Sequence, residues 1–383
     1  MITLLERIFI KQGKDERRAY GILCGTLGIA LNLLLFAGKY LAGFLSGSIA
    51  VMADAFNNLS DAGSSVITLL GFQFAGQAAD EEHPFGHGRI EYLSGLAVSI
   101  AIIVMGVELG RSSIEKIIHP EAVDTGVLSM AILLASVAVK LYMSFYNWRI
   151  GAKIDSAAMK ATATDSLSDA LATSMVLISM LIMKFTGVNV DGWCGVLVAV
   201  FILKAGYEAA KETLNPLLGQ APEPEFIEEI QNIVLSRPEI IGIHDLVVHD
   251  YGPGHRMVSL HGEVDGSQDI FELHDAIDGV EMELQERLGC QAVIHMDPVN
   301  LKDPEMKEKK AMVEQIVKAV DSRLTIHDFR LVHGGGVTKL LFDVVMPFEM
   351  KMGEEELKKQ VQDQVCETMP CCCAIIQIDH SYV

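Results

Sequence analysis

Two apolar stretches of this chain carry residues that apolar stretches seldom hold. Within residues 48–75, Asp54, Asn57 and Asp61 are spaced i, i+3, i+7, which lines them along one stripe of a helix. Within residues 158–184, Asp165 and Asp169 are spaced i, i+4 on one helical face. A carboxylate at the centre of a bilayer costs at least about 2.5–3.5 kcal/mol on insertion scales, so this pattern needs a compensating partner. No compensating cation is expected inside the membrane, and a bound metal ion fills the role. The competing reading is a water-filled crevice or an interfacial position, which suits Asp54 better than the others. Together Asn57, Asp61, Asp165 and Asp169 offer four oxygen-bearing side chains from two helices. They can hold one divalent cation in a tetrahedral set or, with water and carbonyls, a higher-coordinate set. An all-oxygen set favours Mn²⁺ over Zn²⁺, which prefers nitrogen and sulfur.

Histidines supply the next candidates. The segment Asp80 to His87 holds two histidines and three acids within eight residues. Pro84 and Gly86 also shape a turn there, so His83 and His87 equally suit a role in bracing the start of the following helix. Further on, His295 and Asp297 are i, i+2 and share one face of a strand. His249 and His255 flank Gly252-Pro253-Gly254 and are expected to decorate a hairpin.

These residues must be positioned by a chain of 383 residues that is 50% hydrophobic and 21% charged, with a mean hydropathy of +0.32. That excludes a disordered polymer. The formal charge of −20 is uneven: residues 1–220 carry 16 basic and 19 acidic side chains, residues 221–383 carry 14 and 31. An acidic chain of pI about 5.0 has no general attraction for nucleic acid or anionic lipid headgroups, and cations are its better partners. Apolar runs near 20–46, 48–75, 92–115, 126–147, 158–184 and 190–209 each reach or approach the roughly 20 residues that span a bilayer as a helix. Basic residues gather on one side of the six spans, so both termini are expected in the cytoplasm of what is expected to be a bacterial cell membrane. Residues 1–18 lack a signal-peptide cleavage pattern and read as a retained cytoplasmic arm. The seven cysteines form no CxxC pair and no framework, and Cys371-Cys372-Cys373 opens a strand as small buried side chains rather than a soft-metal trap.

Beyond about residue 222 the periodicity changes to helix, strand, strand, helix, strand, and the order then repeats. Ile243-His244-Asp245-Leu246 is echoed by Ile326-His327-Asp328-Phe329, and Ala292 to Asp297 by Ala374 to Asp379. The expected architecture is an α-helical membrane protein of six transmembrane helices (19–215) followed by an α+β cytoplasmic domain of two tandem ferredoxin-like αββαβ modules (216–300 and 301–383). In the letter-by-letter alignment Phe342 stands where the first module has His261, and Gln377 where it has His295. The second module therefore reads as degenerate, its metal site lost.

The segment Ser48 to Asp61, the loop His83-Pro84-Phe85-Gly86-His87-Gly88-Arg89 and the segment Asp165-Ser166-Leu167-Ser168-Asp169 resemble the signature stretches of the cation diffusion facilitator family. The resemblance covers nearly residues 10–300. It implies a homodimeric, proton-coupled antiporter that exports a divalent transition metal by alternating access, with no enzymatic activity and no cofactor beyond its cargo. It places the transport site on Asn57, Asp61, Asp165 and Asp169, a combination similar to the manganese-exporting branch. Zn²⁺, Fe²⁺ and Co²⁺ are the alternative cargoes. The same resemblance matches Asp80, His83 and His87 to a peripheral metal site of zinc-carrying relatives. It also matches His244, His261, His274, His295 and Asp297 to a binuclear site of the cytoplasmic module. The rival from another class is a membrane metal receptor that transports nothing. A metal-dependent hydrolase would need an open coordination position beside a base, and no such motif stands out.

Overall fold

The computed structural model describes residues 16–46, 49–119, 126–334 and 337–380, with the backbone alone at 42–43, 45–46 and 49–54. Most of the 1–18 arm lies outside the described residues, as does the side chain of Asp54. The chain divides into two units, residues 1–220 with 250–255, and residues 221–249 with 256–383.

The first unit is helical: α1 (Glu16–Ser46), α2 (Ile49–Ala75), α3 (Ile90–Ile118), α4 (Val127–Lys153), α5 (Ala157–Thr186) and α6 (Asp191–Leu214), closed by a 3₁₀ turn at Asn215–Leu218. Among the described residues, five of these helices are long and apolar enough to cross a membrane. The sixth, α2, has the length, at 27 residues, and carries the polar stripe. Large apolar side chains such as Leu34, Val107, Leu197 and Phe201 are exposed, as expected where the neighbour is lipid. Helices meet where small residues let backbones approach. A Cβ at Gly25 of α1 would stand 2.7 Å from Leu69 Cβ of α2, and one at Gly195 of α6 would stand 2.1 Å from Ser113 Oγ of α3. Polar cross-links then fix α5 against two neighbours: Thr68 and Thr162 hydroxyls lie 2.9 Å apart, and Ser144 Oγ donates to the Ala163 carbonyl at 2.8 Å.

One end of this bundle is tied by a charge. Glu91, 2% exposed, accepts a bidentate pair from Arg17 at 2.8 and 2.9 Å and a further bond from Ser156, the residue that caps α5. Arg17 also donates to the carbonyls of Ile154 and Asp155. The starts of α1, α3 and α5 are thereby held by one carboxylate. Glu91→Ala leaves the guanidinium short of its anion, and the expected loss is on the order of 3 kcal/mol, read from thermal unfolding of the detergent-solubilised protein.

The second unit holds two modules. The first comprises α7 (Pro224–Val234), β1 (Ile240–Asp250), β2 (Arg256–Asp265), α8 (Ile270–Leu288) and β3 (Cys290–Val299). The second comprises α9 (Pro304–Val320), β4 (Thr325–Gly334), β5 (Val337–Val345), α10 (Glu354–Thr368) and β6 (Cys372–Asp379). Each forms a three-stranded sheet in sequence order, and in each the last two strands run parallel. Each has its own apolar core: Val258, Leu260 and Val264 meet Ile230, Ile277 and Leu284 in one, and Leu340, Phe342 and Val344 meet Val317, Leu357 and Val361 in the other. Alternate residues of β2 and β5 leave those cores for the opposite sheet face.

Candidate metal centre

Asp61 and Asp169 lie near the middle of their helices with Asp165 one turn earlier, and three elements bring these side chains together. Asp61 of α2 and Asp169 of α5 both reach Lys140 of α4, whose Nζ donates to Asp61 Oδ2 and to Asp169 Oδ2 at 2.6 Å each. All three side chains are largely buried, at 14%, 13% and 3% exposure. Asp165, one turn before Asp169, is 5% exposed. Lys140 corrects the expectation that the membrane region holds no compensating cation. An ammonium between two carboxylates repays part of the cost of burying all three charges, which explains how they coexist in an apolar bundle.

The asparagines divide differently from the sequence reading. Asn58 is 2% exposed and donates to Asp61 Oδ2 at 3.3 Å, whereas Asn57 lies on an exposed part of α2. Asn58 Oδ1 is buried without a hydrogen-bond partner among the described residues and adds an oxygen beside Asp61. The centre thus combines carboxylate and amide oxygens around one ammonium, a set suited to a hard divalent cation.

In the loop before α3, Asp80, His83 and His87 offer ligand atoms that all lie within 4.8 Å of one another. Asp80 stands 3.4 Å from His83 Nδ1 and 3.5 Å from His87 Nε2, and the two imidazole rings are 4.5 Å apart. The His83 amide also donates to Asp80, which holds that carboxyl below the usual carboxylate range. The geometry serves a turn and a ligand set alike.

In the first cytoplasmic module, His244, His261 and Asp297 converge. Asp297 Oδ2 lies 2.8 Å from His261 Nδ1 and 3.2 Å from His244 Nε2. The three offer ligand atoms within 4.8 Å of one another. His295 is at the margin, 66% exposed, with Nε2 3.4 Å from Asp297 Oδ1. His274 faces its own helix neighbour Asp278 at 3.4 Å and stands outside the group.

The second module departs from its letter-by-letter reading. Strand pairing sets His261 opposite His295 and Asp343 opposite Gln377, so the residue at the place of His261 is Asp343. Phe342 pairs with Ile376 and corresponds to Leu260, a core position. His327, Asp343 and Asp379 therefore repeat the positions of His244, His261 and Asp297, and with Asp245 they form a further group of convergent ligand atoms. Burial, then Asp379, Asp328 and Asp245, push the Asp343 carboxyl up to about 6, while the hydrogen bond from His244 holds Asp245 low. Cys372 is buried, whereas Cys371 and Cys373 are exposed because alternate strand residues face opposite ways, which corrects the expectation of a buried run.

Residues 25–218 match the cation efflux transmembrane domain, and residues 222–299 match the cation efflux protein cytoplasmic domain. The chain belongs to the cation diffusion facilitator family. It is 32% identical over 279 residues to an uncharacterized transporter of Methanocaldococcus jannaschii, covering 72% of this chain and 97% of that protein. It is 29% identical over 289 residues to the cation-efflux pump FieF of Escherichia fergusonii and to that of Escherichia coli, covering 74% of this chain and 96% of each pump. Like other cation diffusion facilitators it is an integral membrane cation transporter, with the metal as substrate. Neither domain match reaches the second αββαβ module.

Proposed function

We propose that the chain is a homodimeric, proton-coupled antiporter that exports a divalent transition metal, Mn²⁺ above Zn²⁺, Fe²⁺ or Co²⁺, across a bacterial plasma membrane, with both termini cytoplasmic. The observation that carries this reading is the buried cluster of Asp61, Asp165 and Asp169 around Lys140. It is a cation site at mid-membrane with a tethered cation already in it. The oxygen donors support Mn²⁺, since the side chains seen to meet at the cluster offer carboxylate and amide oxygens.

The exchange follows from charge. An incoming divalent ion competes with the Lys140 ammonium for Asp61 and Asp169, so binding displaces the lysine side chain. When the metal leaves outward, crowded carboxylates repel one another, and a proton together with the returning ammonium restores balance. An inward proton gradient then drives metal out. No covalent bond of a substrate is made or broken.

Metal choice and proton coupling are tested together in proteoliposomes. Asp165→His or Asn58→His supplies a nitrogen ligand and is expected to raise the Zn²⁺/Mn²⁺ flux ratio about tenfold. An unchanged ratio in both variants contradicts the oxygen-ligand argument. A protonophore is expected to halt uphill transport, and flux that persists against the metal gradient contradicts proton coupling.

A further inference from the structure

The second αββαβ module lies outside both family matches, and the two modules meet at a cluster of histidines and carboxylates. There, His244 of the first module stacks against His327 of the second, with ring centroids 4.7 Å apart, and His327 Nε2 lies 3.6 Å from Asp245 Oδ1 across the junction. The same Nε2 lies 3.4 Å from Asp379 Oδ2 within its own module. Asp343 completes the group, and one ligand atom from each of Asp245, His327, Asp343 and Asp379 lies within 4.8 Å of the others.

We propose that these four residues form a divalent-cation site that joins the two modules of one chain, with Asp245 from the first and His327, Asp343 and Asp379 from the second. It differs from the His244, His261, Asp297 group in drawing ligands from both modules, and the overlapping group His244, Asp245, His327 lies between the two.

Three features point to a ligand. Asp379 Oδ2 is buried and makes no hydrogen bond among the described residues, and the same holds for His327 Nδ1. His244, with its side chain 6% exposed, lies 3.2 Å from Asp245 through Nδ1 and 3.2 Å from Asp297 through Nε2, which links this group to that of the first module. Buried polar atoms short of a hydrogen bond cost about 1–3 kcal/mol each, and a bound cation orders the imidazoles and satisfies the carboxylates at once.

The second feature is backbone geometry. Asp245 has φ +52°, and Asp328, its counterpart after His327, has φ +48°. Aspartate tolerates this region better than most residues, yet it is uncommon. In β4 the strain accompanies a bulge between His327 and Arg330. Bulges re-aim side chains, and this one sits where His327 turns toward Asp245. The two counterparts then differ: Asp328 is engaged by Arg330 of its own strand, whereas Asp245 reaches across to the other module.

The third feature is charge. Three carboxylates gather around one imidazole, an excess of negative charge that self-repulsion would disperse unless a cation is shared. The donor set of one nitrogen and three carboxylates fits a transition cation of the harder kind, with Mn²⁺ or Fe²⁺ favoured and Zn²⁺ accommodated. A cation held there would staple two modules whose apolar cores are separate.

The test uses the full chain in detergent, stripped by chelator and dialysed to equilibrium against Mn²⁺ or, separately, Zn²⁺, with bound metal counted by elemental analysis. Asp343→Asn and Asp245→Asn are each expected to lose one equivalent of bound cation per chain. They should also lose the metal-induced rise in unfolding temperature that the same equivalent confers on the parent. Asparagine at 245 preserves the positive-φ backbone, so this variant tests the ligand rather than the fold. His261→Ala removes a ligand of the other group and is expected to leave this equivalent in place, as is Asp169→Ala in the membrane. Unchanged stoichiometry in both asparagine variants for both metals overturns the site. Loss in Asp343→Asn with full retention in Asp245→Asn overturns its inter-module character. Because binding is read without transport, failure here and failure of the exporter reading are distinguishable.

Discussion

Asp61→Ala and Asp169→Ala each leave the Lys140 ammonium with one carboxylate in place of two, and each is expected to destabilise the helical unit by about 3 kcal/mol as well as to stop transport. The physical reason is that Lys140 is 3% exposed and donates to both carboxylates at 2.6 Å. Removing one anion strands a buried cation, the costly half of such a pair. Stability and transport can be separated. Asp61→Asn and Asp169→Asn combined with Lys140→Met removes the ammonium and both of its partners together, and is expected to recover most of the lost stability. Transport stays absent, because the cargo still lacks a ligand. Thermal unfolding in detergent checks the first part. An Asp61→Ala protein that unfolds at the parent temperature contradicts the ion-pair account of the bundle.

Lys140→Met alone has the opposite sign for binding. In the parent an incoming metal must displace a tethered ammonium, and that competition weakens apparent affinity. Without it, Asp61, Asp165 and Asp169 face one another uncompensated, and the metal becomes the one cation that can balance them. The component of Mn²⁺ binding that Asp169→Ala removes is expected to tighten at least tenfold, or about 1.4 kcal/mol, in Lys140→Met. Turnover is expected to fall, since the returning ammonium no longer helps expel the metal. Equilibrium Mn²⁺ binding in detergent beside flux in proteoliposomes reads both. Unchanged affinity with unchanged flux contradicts the view that Lys140 and the cargo compete for one place.

The helices and strands were legible because long apolar runs and period-2 alternation state them directly. The expected order helix, strand, strand, helix, strand occurs twice in the structure, and the expected spans fall within several residues of the helices from α1 to α6. Two decisive features of the centres were not legible, for physical reasons. Lys140 sits in Val137-Ala138-Val139-Lys140-Leu141-Tyr142, where a lone lysine reads as a charge near an interface. Its role depends on α4 packing beside α5, a tertiary fact that no local spacing encodes. The signal available was charge balance: several membrane acids imply a membrane base, and Lys140 is a basic residue deep inside an apolar run.

Asp343 was missed through register. A strand repeats every two residues, so a one-residue slip exchanges the core face for the other face. Aligning Phe342 with His261 commits that slip and turns a ligand position into a core position. The alternation of Leu340, Phe342 and Val344, matching Val258, Leu260 and Gly262, carried the correct register. Asn57 and Asn58 pose the same kind of problem on a helix, where neighbours lie about 100° apart and both are amides. The described structure gives the contact with Asp61 to Asn58.

The central claim, that the mid-membrane acids carry a divalent cation against a proton gradient, is tested most directly by flux. Parent and Asp169→Ala proteins are reconstituted into proteoliposomes, a pH gradient is imposed, and Mn²⁺ and Zn²⁺ movements are followed in parallel. The account predicts Mn²⁺ flux that depends on the gradient and is reduced at least 100-fold in the variant, the loss of about 2.7 kcal/mol of transition-state stabilisation. Equal Mn²⁺ flux in the two proteins, or no flux of either metal in the parent, would contradict it.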